Sequence, residues 1–101
     1  MSAINVNKNN FREDVLNSEK KVLLDFWAPW CGPCRMVGPV LEEIAHERSD
    51  VKVVKINVDD QPELAREFRV MSIPALFVMK DGVVVNQAVG ARPKGQILAL
   101  L

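Results

Sequence analysis

The chain has 101 residues, 49% of them hydrophobic, and its thirteen basic and thirteen acidic side chains cancel to a formal net charge of zero. That length is expected to form one domain, residues 1–101, burying roughly 65% of the unfolded surface, so no metal or disulfide staple is needed to hold a core. Balanced charge without a run of one sign argues against nucleic acid or an anionic membrane as partner, and no apolar run approaches the ~20 residues of a membrane span. The opening Met1-Ser2-Ala3-Ile4-Asn5-Val6-Asn7-Lys8 holds no apolar signal core, so the expected compartment is the reducing cytoplasm.

In chain order, Ala3 to Val6 reads as a short strand. Asn9 or Asn10 then caps a helix whose Phe11, Val15 and Leu16 share an apolar face, with Glu13 and Asp14 at the dipole's favoured end. Val22 to Ala28 is almost wholly apolar, as a strand covered on both faces must be, and is the expected centre of a sheet. From Pro33 to about Arg48 the apolar residues Val37, Val40, Leu41 and Ile44 recur at helical spacing, with Pro39 removing one N–H inside the run. Val51 to Val58 is the next strand. A helix between two such strands makes a right-handed crossover and a parallel pair. Asp60 can cap a short helix containing Pro62, Leu64, Ala65 and Phe68. Ala75 to Lys80 and Val83 to Val89 flank Asp81-Gly82, a strong hairpin signal, and Lys94 to Leu101 reads as a last helix with Ile97, Leu98 and Leu101 inward.

The chemistry concentrates in Trp30-Cys31-Gly32-Pro33-Cys34, which holds both cysteines of the chain and joins the most apolar strand to the longest helix. Two thiols two residues apart can close into a disulfide and reopen, storing two electrons without a cofactor. Pro33 suits the first helical position and Gly32 leaves the turn unhindered, so both sulfurs fall at a helix N-terminus, where free N–H groups and the dipole stabilise a thiolate. Cys31, ahead of the first turn, is expected to be the more exposed sulfur and the nucleophile, and Cys34 the shielded, resolving one. A zinc site would need about four ligands, and His46, twelve residues past Cys34 on the same helix, is roughly 18 Å away along its axis. No metal is expected. A purely structural disulfide is the weaker use of so short a loop, because it constrains the unfolded chain least.

Asp25 interrupts the apolar strand on the face shared by Leu23 and Trp27, so its carboxylate is expected to be buried near the thiols with a raised pKa. It then serves as proton acceptor for Cys34, or else is a buried, hydrogen-bonded Asp without a catalytic part. Lys55 on the adjacent strand either reaches towards Asp25 and tempers that shift, or is a solvated lysine at a strand end. Trp27 reads as core packing and Trp30 as an exposed aromatic at the rim of the site.

Taken together, Asp25-Phe26-Trp27-Ala28-Pro29-Trp30-Cys31-Gly32-Pro33-Cys34, Lys55-Ile56-Asn57-Val58-Asp59, Ser72-Ile73-Pro74, Lys80-Asp81-Gly82 and Val89-Gly90 resemble the thioredoxin family over almost the whole chain. The resemblance implies an α/β thioredoxin fold: a five-stranded mixed sheet in the order 1-3-2-4-5 flanked by four helices. It implies a general protein-disulfide reductase and electron carrier acting by dithiol–disulfide exchange through Cys31 and Cys34, with no cofactor of its own. Its partners would be disulfide-containing target proteins and a flavoprotein thioredoxin reductase drawing on NADPH. The chain is read as a monomer. A substrate groove is implied at Trp30, Gly32, Pro33, Ile73, Pro74 and Gly90. Base rates alone would make the bond before Pro74 trans. The family's matching proline is cis and stands opposite the cysteines, leaving the Ile73 backbone free to pair with an extended substrate. Gly90 forms the other wall, or simply ends a strand.

Three positions depart from the pattern: Ala75 replaces a usual Thr, Arg69 a usual Gly, and the last helix stops early, at Leu101. Oxidases and isomerases of the same fold often carry His between the cysteines, and Gly32-Pro33 supplies no such charge. A groove that binds partners irrespective of redox state is the rival from another class, and it predicts full binding after Cys31→Ser.

Overall fold

The computed structural model describes residues 2–101. The apolar strand forms as β2, Lys21–Trp27, and the basic-apolar run that follows the long helix as β3, Val51–Asn57. They pair in parallel, with Asp25 opposite Lys55 and Trp27 opposite Asn57. Between them α1, Gly32–Glu47, crosses over, passing through Pro39 without ending. The short strand β1, Ile4–Asn5, adds to β3 in parallel. On the other side β4, Ala75–Lys80, runs antiparallel to β2, and β5, Val83–Val89, returns from it. The sheet order is β1-β3-β2-β4-β5, the mixed five-stranded arrangement that the resemblance implied. The β4–β5 turn is made by Asp81 at φ 53° and Gly82 at φ 78°, both left-handed, as a two-residue hairpin turn that matches strand twist requires.

Alternation along β2 sends Val22, Leu24 and Phe26 to one side of the sheet, and Leu23 to the other. The first side is covered by a one-turn π-helix, Arg12–Leu16, and by α2, Pro62–Glu67, through Phe11, Val15 and Leu64. Phe68 packs there against the rings of Phe11, Phe26 and Phe77 at centroid distances of 5.1–5.8 Å, mostly edge to face. The second side lies under α1 through Val37, Leu41 and Ile44, and under α3, Lys94–Leu98, through the fully buried Ile97. Lys94 fastens α3 to α1 with ion pairs to Glu43 at 3.3 Å and Glu47 at 2.7 Å.

Two capping expectations are corrected. Neither Asn9 nor Asn10 caps the first helix. The Asn10 Oδ1 accepts instead from the Asn7 N–H at 2.7 Å, and Asn7 Oδ1 in turn accepts from Asn9 and Asn10, so the asparagines build a turn that leaves room for one π-turn behind Phe11. Asp60 does not cap α2 either: Gln61 holds that position without a side-chain bond, its Oε1 being taken by the Lys8 N–H. Leu98 and Leu101 face the second side but stay partly exposed, since α3 ends at Leu98.

Candidate active site

The first sulfur is placed by the helix that follows it. Cys31 is the N-cap of α1, with extended backbone at φ −87° and ψ 108°, and its Sγ accepts the Cys34 N–H at 3.2 Å. One of the free donors of the first turn is thus spent on this sulfur, which stabilises negative charge there when the disulfide is open. Cys31 and Cys34 are joined as a disulfide with their Cα atoms 5.3 Å apart. Exposure barely distinguishes the two cysteines: Cys31 is 5% accessible against 4% for Cys34, in a cluster with Ala28 against which Trp27, Val58 and Ile73 pack. What separates the two is position, one ahead of the helix and receiving a hydrogen bond, the other inside its first turn.

The sheet supplies the opposite wall. The Ile73–Pro74 bond is cis, and the Ile73 carbonyl oxygen lies 3.9 Å from the Cys31 sulfur. Gly90, at φ 97° directly after β5, donates its N–H to the Pro74 carbonyl at 2.8 Å, which ties the two segments of that wall together. A side chain at this left-handed position would be strained, so Gly90 does more than end a strand. Trp30 stands 67% exposed at the rim, its indole N–H donating to Asp59 Oδ2 at 2.9 Å.

Behind the sulfurs, Asp25 is fully buried, and neither of its carboxylate oxygens has a hydrogen-bond partner among the described residues. Burial pushes its pKa up to about 7, and the positive charge of Lys55 works against that rise. Lys55 is half-buried, and no carboxylate lies within 4.0 Å of its ammonium among the described residues, so it acts on Asp25 through space. Its Nζ sits instead over the Trp27 ring, 4.5 Å from the centroid. Trp27 packs, partly buried, against the core cluster that holds the sulfurs, as expected, and in addition carries a cation on its face.

The structure brings Cys31, Cys34, Trp30, Gly32, Pro33, Ile73 and Pro74 to one end of the sheet, with Asp25 and Lys55 on the strands beneath and Gly90 beside Pro74. Three participants were not foreseen. Val58 packs on the sulfurs, Asp59 anchors the Trp30 indole, and Met71, 93% exposed, lines a small pocket of about 150 Å³ with Trp30 and Ile73. Only the place of Val58-Asp59 at the carboxyl end of a parallel strand, where open α/β sheets keep their sites, signals the first two. Met71 had no signal beyond its nearness to Pro74.

A reversible disulfide at a helix N-terminus, facing a cis-proline across the carboxyl end of a mixed sheet, defines a dithiol–disulfide oxidoreductase. The thioredoxin family model matches residues 2–101. The chain is 50% identical over 102 residues to a thioredoxin of Pyropia yezoensis, covering 100% of this chain and 95% of that protein. It is 55% identical over 98 residues to a thioredoxin of Mycobacterium tuberculosis (96% and 84% covered), and 56% identical over 85 residues to thioredoxin 1 of Synechococcus elongatus (83% and 79%). The chain belongs to the thioredoxin family. It is a protein-disulfide oxidoreductase whose Cys31–Cys34 disulfide works by dithiol–disulfide exchange, and membership implies a reductase and target proteins as its partners. No helix among the described residues is long and apolar enough to cross a membrane.

Proposed function

We propose that the chain acts as one domain and as a general reductase of protein disulfides, with Cys31 attacking and Cys34 resolving. The observation that carries the assignment is the Cys34 N–H directed at the Cys31 sulfur, which favours the thiolate at position 31. In the reduced protein the Cys31 thiolate attacks one sulfur of a target disulfide, and the other target sulfur leaves as a thiolate. Cys34 passes its proton to the Asp25 carboxylate and attacks the Cys31 sulfur. The second target thiolate departs, two electrons have moved to the target, and the carrier is left as the disulfide. Lys55 keeps Asp25 ionised near neutrality, in the range where a general base serves best.

The target chain lies in the groove between Trp30, Gly32 and Pro33 on one side and Ile73, Pro74 and Gly90 on the other. There it pairs with the Ile73 backbone as an added strand. A flavoprotein thioredoxin reductase drawing on NADPH restores the dithiol. The setting is the cytoplasm, the protein a monomer, and neither nucleic acid nor membrane a partner; balanced surface charge supports this.

The test is reduction of a model protein disulfide with NADPH and a thioredoxin reductase, run beside two trapping variants. Turnover is expected with the native chain. Cys34→Ser should accumulate covalent mixed disulfides with targets and Cys31→Ser should not. Equal trapping by both variants, or reversed roles, refutes the assignment, and undiminished target binding by Cys31→Ser favours a redox-independent binding module.

A further inference from the structure

The Lys55 ammonium is held by an unusual set of neighbours. Its side chain is long and flexible, with four rotatable bonds in the stem. It has neither a carboxylate within 4.0 Å nor a hydrogen bond to fix it among the described residues. What it has is the Trp27 ring, 4.5 Å from Nζ to centroid, well inside the reach of a cation–π contact. The helix α1 also passes close by at Gly38, where an added Cβ would stand 3.9 Å from Nζ. The ammonium thus has an indole face and a helix backbone without a side chain within reach.

Trp27 and Lys55 also line a cleft of about 390 Å³, together with Asn5, Asn57, Asp60 and Gln61. The cleft offers the ammonium amides, a second carboxylate and water as alternative company. Without the indole, none of its neighbours among the described residues would keep the charge directed at the sheet rather than at the cleft.

We propose that Trp27 is a positioning residue: its indole face holds the Lys55 ammonium beside Asp25 and away from the cleft, and so sets the pH at which Asp25 gains and loses its proton. The inference rests on the reading of Asp25 as proton acceptor for its consequence in turnover, but not for its geometry. Asp25 and Lys55 are partners in the β2–β3 register, and Trp27 is two residues on from Asp25, on the same face of β2. The other strand neighbour of Asp25 brings no competing charge, since β4 places Leu76 opposite it, and Cys34 on α1 is tied up in the disulfide and does not titrate. Lys55 is the one charged group whose field moves the Asp25 titration, and Asp60 is the one carboxylate sharing the cleft with it.

The test is the pH titration of the Asp25 side-chain carboxyl by carbon NMR in the oxidised protein, in a double-mutant cycle. Trp27→Leu should raise the midpoint by about half a pH unit or more, roughly a threefold change in proton affinity, because the ammonium is released into the cleft. Trp27→Phe, which keeps a ring face, should stay closer to the native value. In a Lys55→Gln background the Trp27→Leu change should move the midpoint no further, since the residue through which it acts is gone. An equal shift in both backgrounds, or none in the native one, overturns the inference; the first would mean that Trp27 acts on Asp25 by burial alone. Should Trp27→Leu fail to fold, Trp27→Met takes its place in the same cycle. The rate of Cys34 attack on a mixed disulfide, followed against pH in Asp25→Asn, decides separately. An unchanged profile there refutes Asp25 as proton acceptor and leaves the NMR cycle to decide on Trp27.

Discussion

Replacing Asp25 by Asn removes a charge that the fold buries without a single hydrogen-bond partner among the described residues, while keeping nearly the same shape. The consequence for stability follows from linkage. Burial pushes the carboxyl up to about 7 in the folded chain from its ordinary value of 3.8, so between those values the native state binds more protons than the unfolded one. The Asp25 contribution is therefore full below about pH 4, declines as pH rises, and is gone above the folded pKa. With about 1.36 kcal/mol per pH unit, the stability lost to this group relative to low pH is about 2 kcal/mol at pH 5 and about 4 kcal/mol at pH 7. Against a domain stability of ~5–15 kcal/mol this is a large fraction. Urea denaturation of both proteins at pH 5, 7 and 9 gives the difference directly, and groups common to the two cancel. Asp25→Asn should gain over the native chain by about 2 kcal/mol more at pH 7 than at pH 5, with little further change at pH 9. Reduction of target disulfides should slow in the same variant, since the acceptor for the Cys34 proton is gone. A stability difference independent of pH would refute burial of an ionising Asp25, and a more stable variant with unchanged turnover would return it to a purely structural part.

Tryptophan emission should rise when the disulfide is reduced, because Trp30 adjoins Cys31 and Trp27 packs against the sulfur cluster; identical spectra in the two redox states would contradict that packing. Gly82→Ala should cost about 1–2 kcal/mol in urea denaturation, since position 82 lies at φ 78° and the added Cβ would come to 3.4 Å from the Leu16 carbonyl oxygen; a neutral result would mean that the turn relaxes freely. Arg69, at φ 55°, holds a left-handed conformation that suits glycine. Relief of that strain less the extra entropy of a glycine leaves a gain of about 0.5 kcal/mol for Arg69→Gly, or roughly 2–4 °C in Tm. A loss on calorimetry would show that the Arg69 side chain contributes more than its exposed position suggests.

What could be read before the structure, and what could not, divides along the range of the forces involved. The unbroken apolar run of β2, the Asp81-Gly82 turn and the helical spacing of Val37, Leu41 and Ile44 each declare themselves within a dozen residues, and those elements form within one or two residues of the expected bounds. The caps did not. An Asn or Asp ahead of a helix has several backbone donors within reach, and the choice is made by neighbours elsewhere in the chain. Asn10 turns back to Asn7, and Gln61 reaches the Lys8 N–H across fifty-three residues, leaving Asp60 unused. Local preference names candidates for such contacts, while tertiary structure selects among them. Strand order was legible only through resemblance, because periodicity says which face a strand buries and nothing about which strand lies beside it.

The site divides in the same way. The motif announced the sulfurs, the helix start and the buried carboxylate, since each is a local feature: a proline at the first turn, a polar residue in an apolar strand. Sulfur accessibility is not local. Cys31 was expected to be the more exposed sulfur because it precedes the helix, yet Trp27, Val58 and Ile73, from three separate stretches of chain, pack on the cluster that holds both sulfurs and leave the two buried nearly alike. The same holds for Lys55. Its strand and register put it next to Asp25, but a lysine stem reaches far enough to face a carboxylate, a cleft or an aromatic ring, and only the packed structure reveals that the ring is Trp27. A carboxylate that titrates near neutrality therefore depends on two choices made at a distance: burial that raises its pKa, and a single cation, steered by an indole, that limits the rise. With Asp25 as the proposed acceptor of the Cys34 proton, moving either one should move the pH range in which Cys34 attacks a mixed disulfide.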